Sequence, residues 1–356
     1  MDERYTRQIR LDEIGISGQR KLQNAKVLVI GAGGLGCPIL LYLSASGIGT
    51  LGIADFDTVS VSNLHRQILY SAKHVGHNKA LVAKEKLLEL NSDTLIKTYP
   101  TAFTANNCLE IIEEYDFVVD ATDNFTTRYL INDSCLILKK SMIFGALYKF
   151  EGQVSVFNYK NGPSYRCLFP KPPAKGEVPN CNEIGVLGVL PGIIGLIQAN
   201  EVIKAILEIG DILSGKILYL NTLNYKQRIL KFSRNEEIIS EILKKGKPEP
   251  VATDDCIFTK YISLNEISDM EKILWIDVRE LGEKPVIDEE NVLNMPLNGF
   301  EITKAIQNDG SKKIFFCQSG IRSQKATQLA MQKNLLNCFS LREGAAELSK
   351  RLKQKK

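Results

Sequence analysis

The stretch KVLVIGAGGLGCPILLYLSASGIGTLGIADFD, Lys26 to Asp57, decides the fold. Val27 to Ile30 is a continuous apolar run, the mark of a strand buried on both faces of a parallel sheet. GAGGLG (31–36) follows with G-x-G-x-x-G spacing. Gly31, Gly33 and Gly34 allow a tight turn and close backbone approach to phosphate, which the next helix's N-terminus favours. That helix runs over about 35–46, with Pro38 in its first turn and Gly47 as its C-terminal cap. Thr50 to Ala54 is a second strand, and Asp55 stands at its end, where a carboxylate can hold ribose hydroxyls. Together these make a nucleotide pocket, as fit for a dinucleotide as for ATP.

Working outward, residues 1–25 read as a helical lead-in. Helices are expected over 79–90, 107–114 and 128–139, and strands over 96–100, 117–121 and 142–146. This alternation predicts an α/β fold with a doubly wound, largely parallel sheet. After Phe150 come QVSVF (153–157), a loop rich in proline and glycine (162–185), and a long helix over about 191–209 stopped by Gly210. Gly192, Gly195 and Ala199 give that helix a small-residue face. KILYL (216–220) and QRILKF (227–232) read as a hairpin. KKGKPEPVATDD (244–255) has no periodicity and reads as a linker. Beyond it KILWIDVRE (272–280), KKIFFCQSG (312–320) and a helix from Ser323 form a smaller α/β unit. The expected organisation is a first domain over 1–243, the linker, and a second domain over 256–356.

The chain's 356 residues suit two domains, and 44% apolar with 24% charged residues is ordinary soluble globular composition. A net charge of +4 is too small for this size to indicate nucleic acid as a partner. The start, MDERYTRQIR, is charged and unlike a signal peptide. The longest apolar run, 185–199, is broken by Pro191 and too short to span a bilayer, so no membrane is expected. Eight cysteines without a CxxC pair read as buried or reactive thiols in a reducing cytoplasm.

Residues after the second strand narrow the nucleotide. DFDTVSVSNLHRQ (55–67) places Asn63, Arg66 and Gln67 at the strands' carboxyl ends, and Lys79 opens the next helix. Two cations there suit a polyphosphate. ATDN (121–124) puts Asp123 at the same edge, suited to magnesium. ATP cleavage uses both a phosphate clamp and a metal carboxylate; a nicotinamide site needs neither.

RYTRQ (4–8), GAGGLGCP, DFDTVSVSNLHRQ, Lys79, DATDN (120–124) and NCNEIGVLGVLPG (180–192) together resemble the MoeB/ThiF family, prokaryotic relatives of ubiquitin-activating enzymes, over about residues 4–232. The resemblance implies a Rossmann-like domain that adenylates the C-terminal glycine of a ubiquitin-like sulfur carrier, of MoaD or ThiS type and ending in Gly-Gly, with ATP and magnesium. It implies Gly34 against the nucleotide, Asp55 on the ribose, Asn63, Arg66 and Lys79 on the phosphates, Asp123 on magnesium, and Gln67 near the phosphates. Arg7 would reach into the partner's site in a homodimer. His65, His74 and His77 are expected to be polar surface or loop residues.

Many members of that family bind zinc through two CxxC pairs. Here the first would be SYRC (164–167), with serine replacing a cysteine, and 233–250 contains none. Tetrahedral zinc needs four ligands, so no structural zinc is expected. Cys181 matches the family cysteine that attacks activated acyl or acyl-disulfide intermediates. Cys37, Cys108, Cys135, Cys256 and Cys338 read as packing residues.

IFFCQSGIRS (314–323) reads as strand, tight loop and helix, with Cys317 at the mouth of a ring of backbone amides near Arg322. That environment lowers a thiol pKa and stabilises a thiolate or persulfide. The loop Cys317, Gln318, Ser319, Gly320, Ile321, Arg322 is tighter than the phosphate loop of tyrosine phosphatases, which favours sulfur. With WIDVRE (275–280), where Asp277 and Arg279 would brace the loop, the unit resembles a rhodanese domain over roughly 256–350. The two resemblances imply one sequence of steps. The adenylate forms first, and a persulfide on Cys317, loaded by a donor such as a cysteine desulfurase, displaces AMP. A second thiol, Cys181, then releases the carrier thiocarboxylate. A 12-residue linker gives a coil reach of roughly 20 Å. MoaD-type activation for molybdenum cofactor synthesis is the leading reading. A ThiS-type carrier for thiamine thiazole, protein conjugation, and a NAD-binding module are the alternatives.

Overall fold

The computed structural model describes residues 3–173, 185–249, 261–267, 269–270, 272–300, 306, 311–332, 335 and 337–353. The chain divides into two compact units, Met1–Thr253 and Asp254–Lys356.

In the first unit the described elements are α1 (Thr6–Ile9), α2 (Gly15–Asn24), β1 (Lys26–Ile30), α3 (Gly36–Ala45), β2 (Thr50–Ala54), α4 (Lys79–Leu90), β3 (Leu95–Tyr99), α5 (Cys108–Glu113), β4 (Phe117–Asp120), α6 (Phe125–Ile137), β5 (Ser141–Tyr148), β6 (Glu151–Phe157), α7 (Tyr165–Leu168), α8 (Leu190–Leu207), β7 (Lys216–Asn221), β8 (Gln227–Lys231) and α9 (Glu236–Lys245). The strands form one sheet in the order β3-β2-β1-β4-β5-β6-β7-β8. It is parallel from β3 through β5 and antiparallel from β5 to β8. The continuous apolar strands are explained by their alternation. Val27 and Val29 point into one core cluster, while Leu28 and Ile30 point into a second. β4 does the same with Val119 and Val118. Helices α3, α4 and α8 supply the first cluster, and α5 and α6 the second, so the sheet is doubly wound.

Chain order reverses between β1 and β4, since β2 and β3 lie to one side of β1 and β4 and β5 to the other. Ligands of open α/β sheets bind in the crevice at such a switch point. Here it lies between the glycine turn after β1 and the Ala121–Asn124 turn after β4.

Several boundaries differ from the sequence expectation. α6 begins at Phe125 rather than 128, because Asn124 caps it by accepting the Thr127 amide at 2.8 Å. α8 is left through Glu208 at φ +60°, two residues before Gly210. Pro191 sits in the first turn of α8 and does not interrupt it. The helix is thus 18 residues long and apolar enough by composition to cross a membrane. It packs on α3, β5 and β6 instead, with Gly195 where a Cβ would stand 2.7 Å from the Leu35 carbonyl oxygen. Gly192, by contrast, faces open space. His74 is buried, contrary to expectation, and its Nδ1 accepts the Ser71 amide at 3.1 Å.

In the second unit β9 (Tyr261–Ile262), β10 (Ile273–Asp277), β11 (Val292–Asn294), β12 (Lys312–Phe316), α10 (Ile321–Gln332), β13 (Cys338–Leu341) and α11 (Ala345–Lys353) are described. Its sheet, ordered β11-β10-β12-β13-β9, is parallel throughout. Ile314 and Phe316 of the central strand face one core cluster, and Phe315 and Cys317 the other. α10 starts at Ile321, two residues before the expected Ser323.

Candidate active site

Gly31 takes φ +98°, and a Cβ there would lie 2.5 Å from the Ala121 carbonyl oxygen, so glycine is required where the two turns meet. A Cβ on Gly34 would meet Pro191 at 3.0 Å and the Arg66 stem at 3.6 Å, and one on Gly33 would meet the Gln67 amide nitrogen at 3.5 Å. Arg66 and Gln67 therefore lie directly against the glycine turn. Both backbone amides donate to the Asn63 carbonyl, which holds the three residues in one turn. Gln67 is buried, and its Oε1 has no hydrogen-bond partner among the described residues.

The Asp55 carboxylate accepts the amides of Ala32 at 2.7 Å and Asp57 at 2.9 Å, tying the end of β2 to the glycine turn. Burial pushes its carboxyl up, against the pull of Lys79 and with the push of Asp57. The Lys79 side chain is 7% exposed, and its Nζ pairs with Asp57 at 2.8 Å. Burial alone would lower its pKa, but Asp55 and Asp57 hold the ammonium above its ordinary value, and Asp123 adds to this. Asn78 caps α4 through the Leu81 amide and donates to the carbonyls of Asp55 and Asp57. Sequence reasoning missed Asn78 and Asp57; the D-F-D spacing, with an asparagine just before Lys79, was the available signal.

Asp123 is exposed at the tip of the turn after β4. That turn is clamped from below. Asp120 accepts Arg128 Nε at 2.8 Å and both the amide and hydroxyl of Thr122, and Arg128 Nη2 donates to the Thr122 carbonyl at 3.1 Å. Gln198 Nε2 of α8 donates to the Asp120 carbonyl at 2.8 Å. Gly31, Gly33, Gly34, Asp55, Asn63, Arg66, Gln67, Lys79 and Asp123 are thus gathered at one sheet edge. Arg7 is not held to that edge. It projects into solvent from α1, which Tyr5 and Gln8 anchor: the Tyr5 hydroxyl receives Asn91 Nδ2 at 2.9 Å, and Gln8 donates to Gln19 at 2.7 Å.

Cys167 Sγ accepts the amides of Asn235 at 3.3 Å and Ser164 at 3.4 Å. Asn235 caps α9 through the amides of Glu237 and Ile238, and α9 buries Ile239 and Ile242 against α6 and Cys167. On the same segment Arg166 makes two 2.7 Å bonds to Asp133, and the Tyr165 ring lies tilted against Phe169 with centroids 4.9 Å apart. Packing and an ion pair thus hold this region. No group of three or more metal-ligating side chains occurs among the described residues. Cys181 and Cys256 lie outside them. Cys37, Cys108, Cys135 and Cys338 are buried, and burial pushes the Cys37 thiol up to about 12.

In the second unit Cys317 Sγ accepts the amides of Gly320 at 3.1 Å and Ser323 at 3.4 Å, with the Ser323 hydroxyl at 3.6 Å. Gly320 reaches this geometry at φ +88°. Burial would raise the thiol, but these contacts, led by the Ser323 amide, lower it below its ordinary value. The stabilising groups are therefore backbone amides first, rather than Arg322. Arg322 binds Glu283 at 2.5 and 2.8 Å through both oxygens. Asp277 and Arg279 are buried and paired at 2.6 and 2.8 Å, and Arg279 reaches Gln318 in the loop at 3.4 Å. Glu283 was missed in the sequence; an acid placed so soon after DVRE was the sign to look for.

Fold and site together define a doubly wound α/β unit with a nucleotide-type glycine turn, joined to a parallel α/β unit that cradles a thiol in backbone amides. The chain belongs to the ThiF family, whose sequence model matches residues 5–240. It is 50% identical over 238 residues to the sulfur carrier protein adenylyltransferase of Thermus thermophilus, covering 65% of this chain and 88% of that one. It is 35% identical over 366 residues to the adenylyltransferase and sulfurtransferase MOCS3-2 of Zea mays, covering 94% of this chain and 76% of that one. The crystal structure of E. coli MccB with ATP matches with a TM-score of 0.59 at 24% identity, over 66% of this chain and 73% of that one.

Proposed function

We propose that this chain adenylates the C-terminal glycine of a ubiquitin-like sulfur carrier with ATP and then delivers sulfur from Cys317 to make the thiocarboxylate. The observation that carries the proposal is the presence in one chain of a ThiF-family switch-point crevice and an amide-cradled thiol of lowered pKa. The relatives named as adenylyltransferases and sulfurtransferases support the same pair of activities, and their MOCS3 name favours a MoaD-type carrier in molybdenum cofactor synthesis.

In this reading residues 1–243 form the adenylating domain, 244–255 the linker and 256–356 the sulfur-transfer domain. The glycine turn admits the nucleotide, and the Asp55 oxygens, which retain free lone pairs, accept ribose hydroxyls. Gln67, whose Nε2 would stand 3.5 Å from a Cβ on Gly33, lies against the same turn. Arg66 and Lys79, with Asn63, meet the phosphates as the carrier carboxylate attacks the α-phosphorus and pyrophosphate leaves. Asp123, an exposed carboxylate that joins no group of three metal-ligating side chains among the described residues, fits magnesium held by one carboxylate and the substrate phosphates. Magnesium would neutralise charge on those phosphates. Arg7 would complete the site of a second copy in a homodimer, and Cys181 would resolve the acyl disulfide. A cysteine desulfurase is the proposed sulfur donor.

The test is pyrophosphate exchange into ATP. Wild-type protein with magnesium and a Gly-Gly-ending MoaD-type carrier should exchange, and Asp123→Ala should not, while Asp123→Ala still loads persulfide on Cys317. Absence of exchange with every Gly-Gly carrier would overturn the reading.

A further inference from the structure

The charge balance of the Cys317 loop is set by a residue outside it. Arg322 is the only arginine of the segment 317–322, and Glu283 holds it through two parallel N–H···O bonds at 2.5 and 2.8 Å. Such a fork fixes the guanidinium in place. The carboxylate is itself positioned, since Glu283 Oε1 accepts the Glu280 amide at 2.9 Å. Arg279, the second guanidinium bonded into the loop, is likewise neutralised, by Asp277. The charged side chains bonded around the loop thus form two neutral pairs, Arg322 with Glu283 and Arg279 with Asp277, and neither guanidinium is left to compensate an anion at Cys317 Sγ. Ile321, inside the loop, is 74% exposed, and Leu281, two residues before Glu283, is 80% exposed.

We propose that Glu283 sets sulfur-donor specificity by holding Arg322 as a neutral pair, so that Cys317 takes sulfur from organic persulfides and discriminates against dianionic thiosulfate. This rests on the reading that Cys317 carries persulfide, and it names the donor class. In the favoured step the Cys317 thiolate attacks the outer sulfur of R–S–SH. The new bond joins Cys317 Sγ to that sulfur, the old S–S bond breaks with its electron pair, and R–S⁻ leaves, giving Cys317–S–SH. The corresponding step with thiosulfate would release sulfite and bring a dianion to a site already negative. An uncompensated Arg322 would attract that dianion. Glu283 removes the attraction.

The experiment compares persulfide loading of Cys317 in the full chain from thiosulfate and from glutathione persulfide, followed by intact mass and initial rates. The measured quantity is the ratio of kcat/KM for thiosulfate to that for glutathione persulfide, in wild type, Glu283→Gln and Glu283→Asp. Glu283→Gln should raise that ratio roughly tenfold, the size expected when one unit charge several ångströms from a partly solvated site is removed. Glu283→Asp keeps the charge and should stay near wild type. Salt supplies a readout that altered folding would not mimic. Raising ionic strength should speed thiosulfate loading in wild type, by screening repulsion, and change it far less in Glu283→Gln, whose charges around the thiolate sum to zero. An unchanged ratio in Glu283→Gln, or the same salt response in both proteins, overturns the specificity proposal while leaving the persulfide reading intact. Failure of wild type to load from either donor overturns both.

Discussion

Replacing Arg128 by methionine tests how the Asp123 turn is held. Arg128 is 7% exposed and Asp120 fully buried, with 2.8 Å between Nε and Oδ2. The guanidinium also binds the Thr122 carbonyl and lies 4.8 Å from the centroid of the Phe144 ring. Arg128→Met fills most of the volume but leaves a carboxylate at zero exposure without its cation. Breaking such a pair costs about 3–5 kcal/mol, a large share of the ~5–15 kcal/mol that holds a domain. Asp120→Asn with Arg128→Met removes both charges and should recover much of the loss, about 2 kcal/mol or more, because the uncompensated charge is the costly element. The assay is urea unfolding followed by far-ultraviolet circular dichroism. Fluorescence of Trp275, the single tryptophan, which is buried in the second unit, separates that unit's transition. At low urea, Arg128→Met should also raise the KM for ATP, since the turn carrying Asp123 loses its clamp. A loss below about 1 kcal/mol, or a double variant no more stable than the single, would refute the reasoning.

Three further outcomes follow from the same geometry. Lys79→Ala should cut pyrophosphate exchange roughly 100-fold or more, the usual loss for a preorganised cation at developing charge; an exchange rate within a few-fold of wild type would mean that Lys79 only balances Asp55 and Asp57. Gly31→Ala should destabilise the first unit by at least about 2 kcal/mol in urea titration, because φ is +98° and the new Cβ meets the Ala121 oxygen at 2.5 Å. Alkylation of Cys317 by iodoacetamide should rise with pH through an inflection below that of the same thiol in the urea-unfolded chain, since its folded pKa is lowered and the thiolate persists to lower pH; an inflection at or above that of the unfolded chain would contradict the amide cradle.

The fold was legible because its signals are local. β1 and β4 read as apolar runs buried on two faces, and the glycine turn can be filled only by glycine at Gly31. Asp55 and Lys79 could be placed near the switch point because one follows the end of β2 and the other opens α4. What escaped was pairing across sequence distance. Asp57 and Asn78 act through Lys79 and the Asp55 carbonyl. Asp120 and Arg128 clamp a turn of which only Asp123 was visible. Glu283 meets Arg322 across 39 positions. Ion pairs of this kind leave no periodic trace, so Arg322 was read near Cys317 without its partner. Pro191 misled in another way, since a proline in a first turn opens a helix that the same residue further along would break.

The central claim is that activation and sulfur transfer run in series through Cys317. Its most direct test is the intact mass of a Gly-Gly carrier incubated with the enzyme, ATP, magnesium and glutathione persulfide as the sole sulfur source. Wild type should replace one carboxylate oxygen of the carrier by sulfur, and Cys317→Ala should exchange pyrophosphate yet leave the carrier without sulfur. Full thiocarboxylate yield from Cys317→Ala would contradict the account.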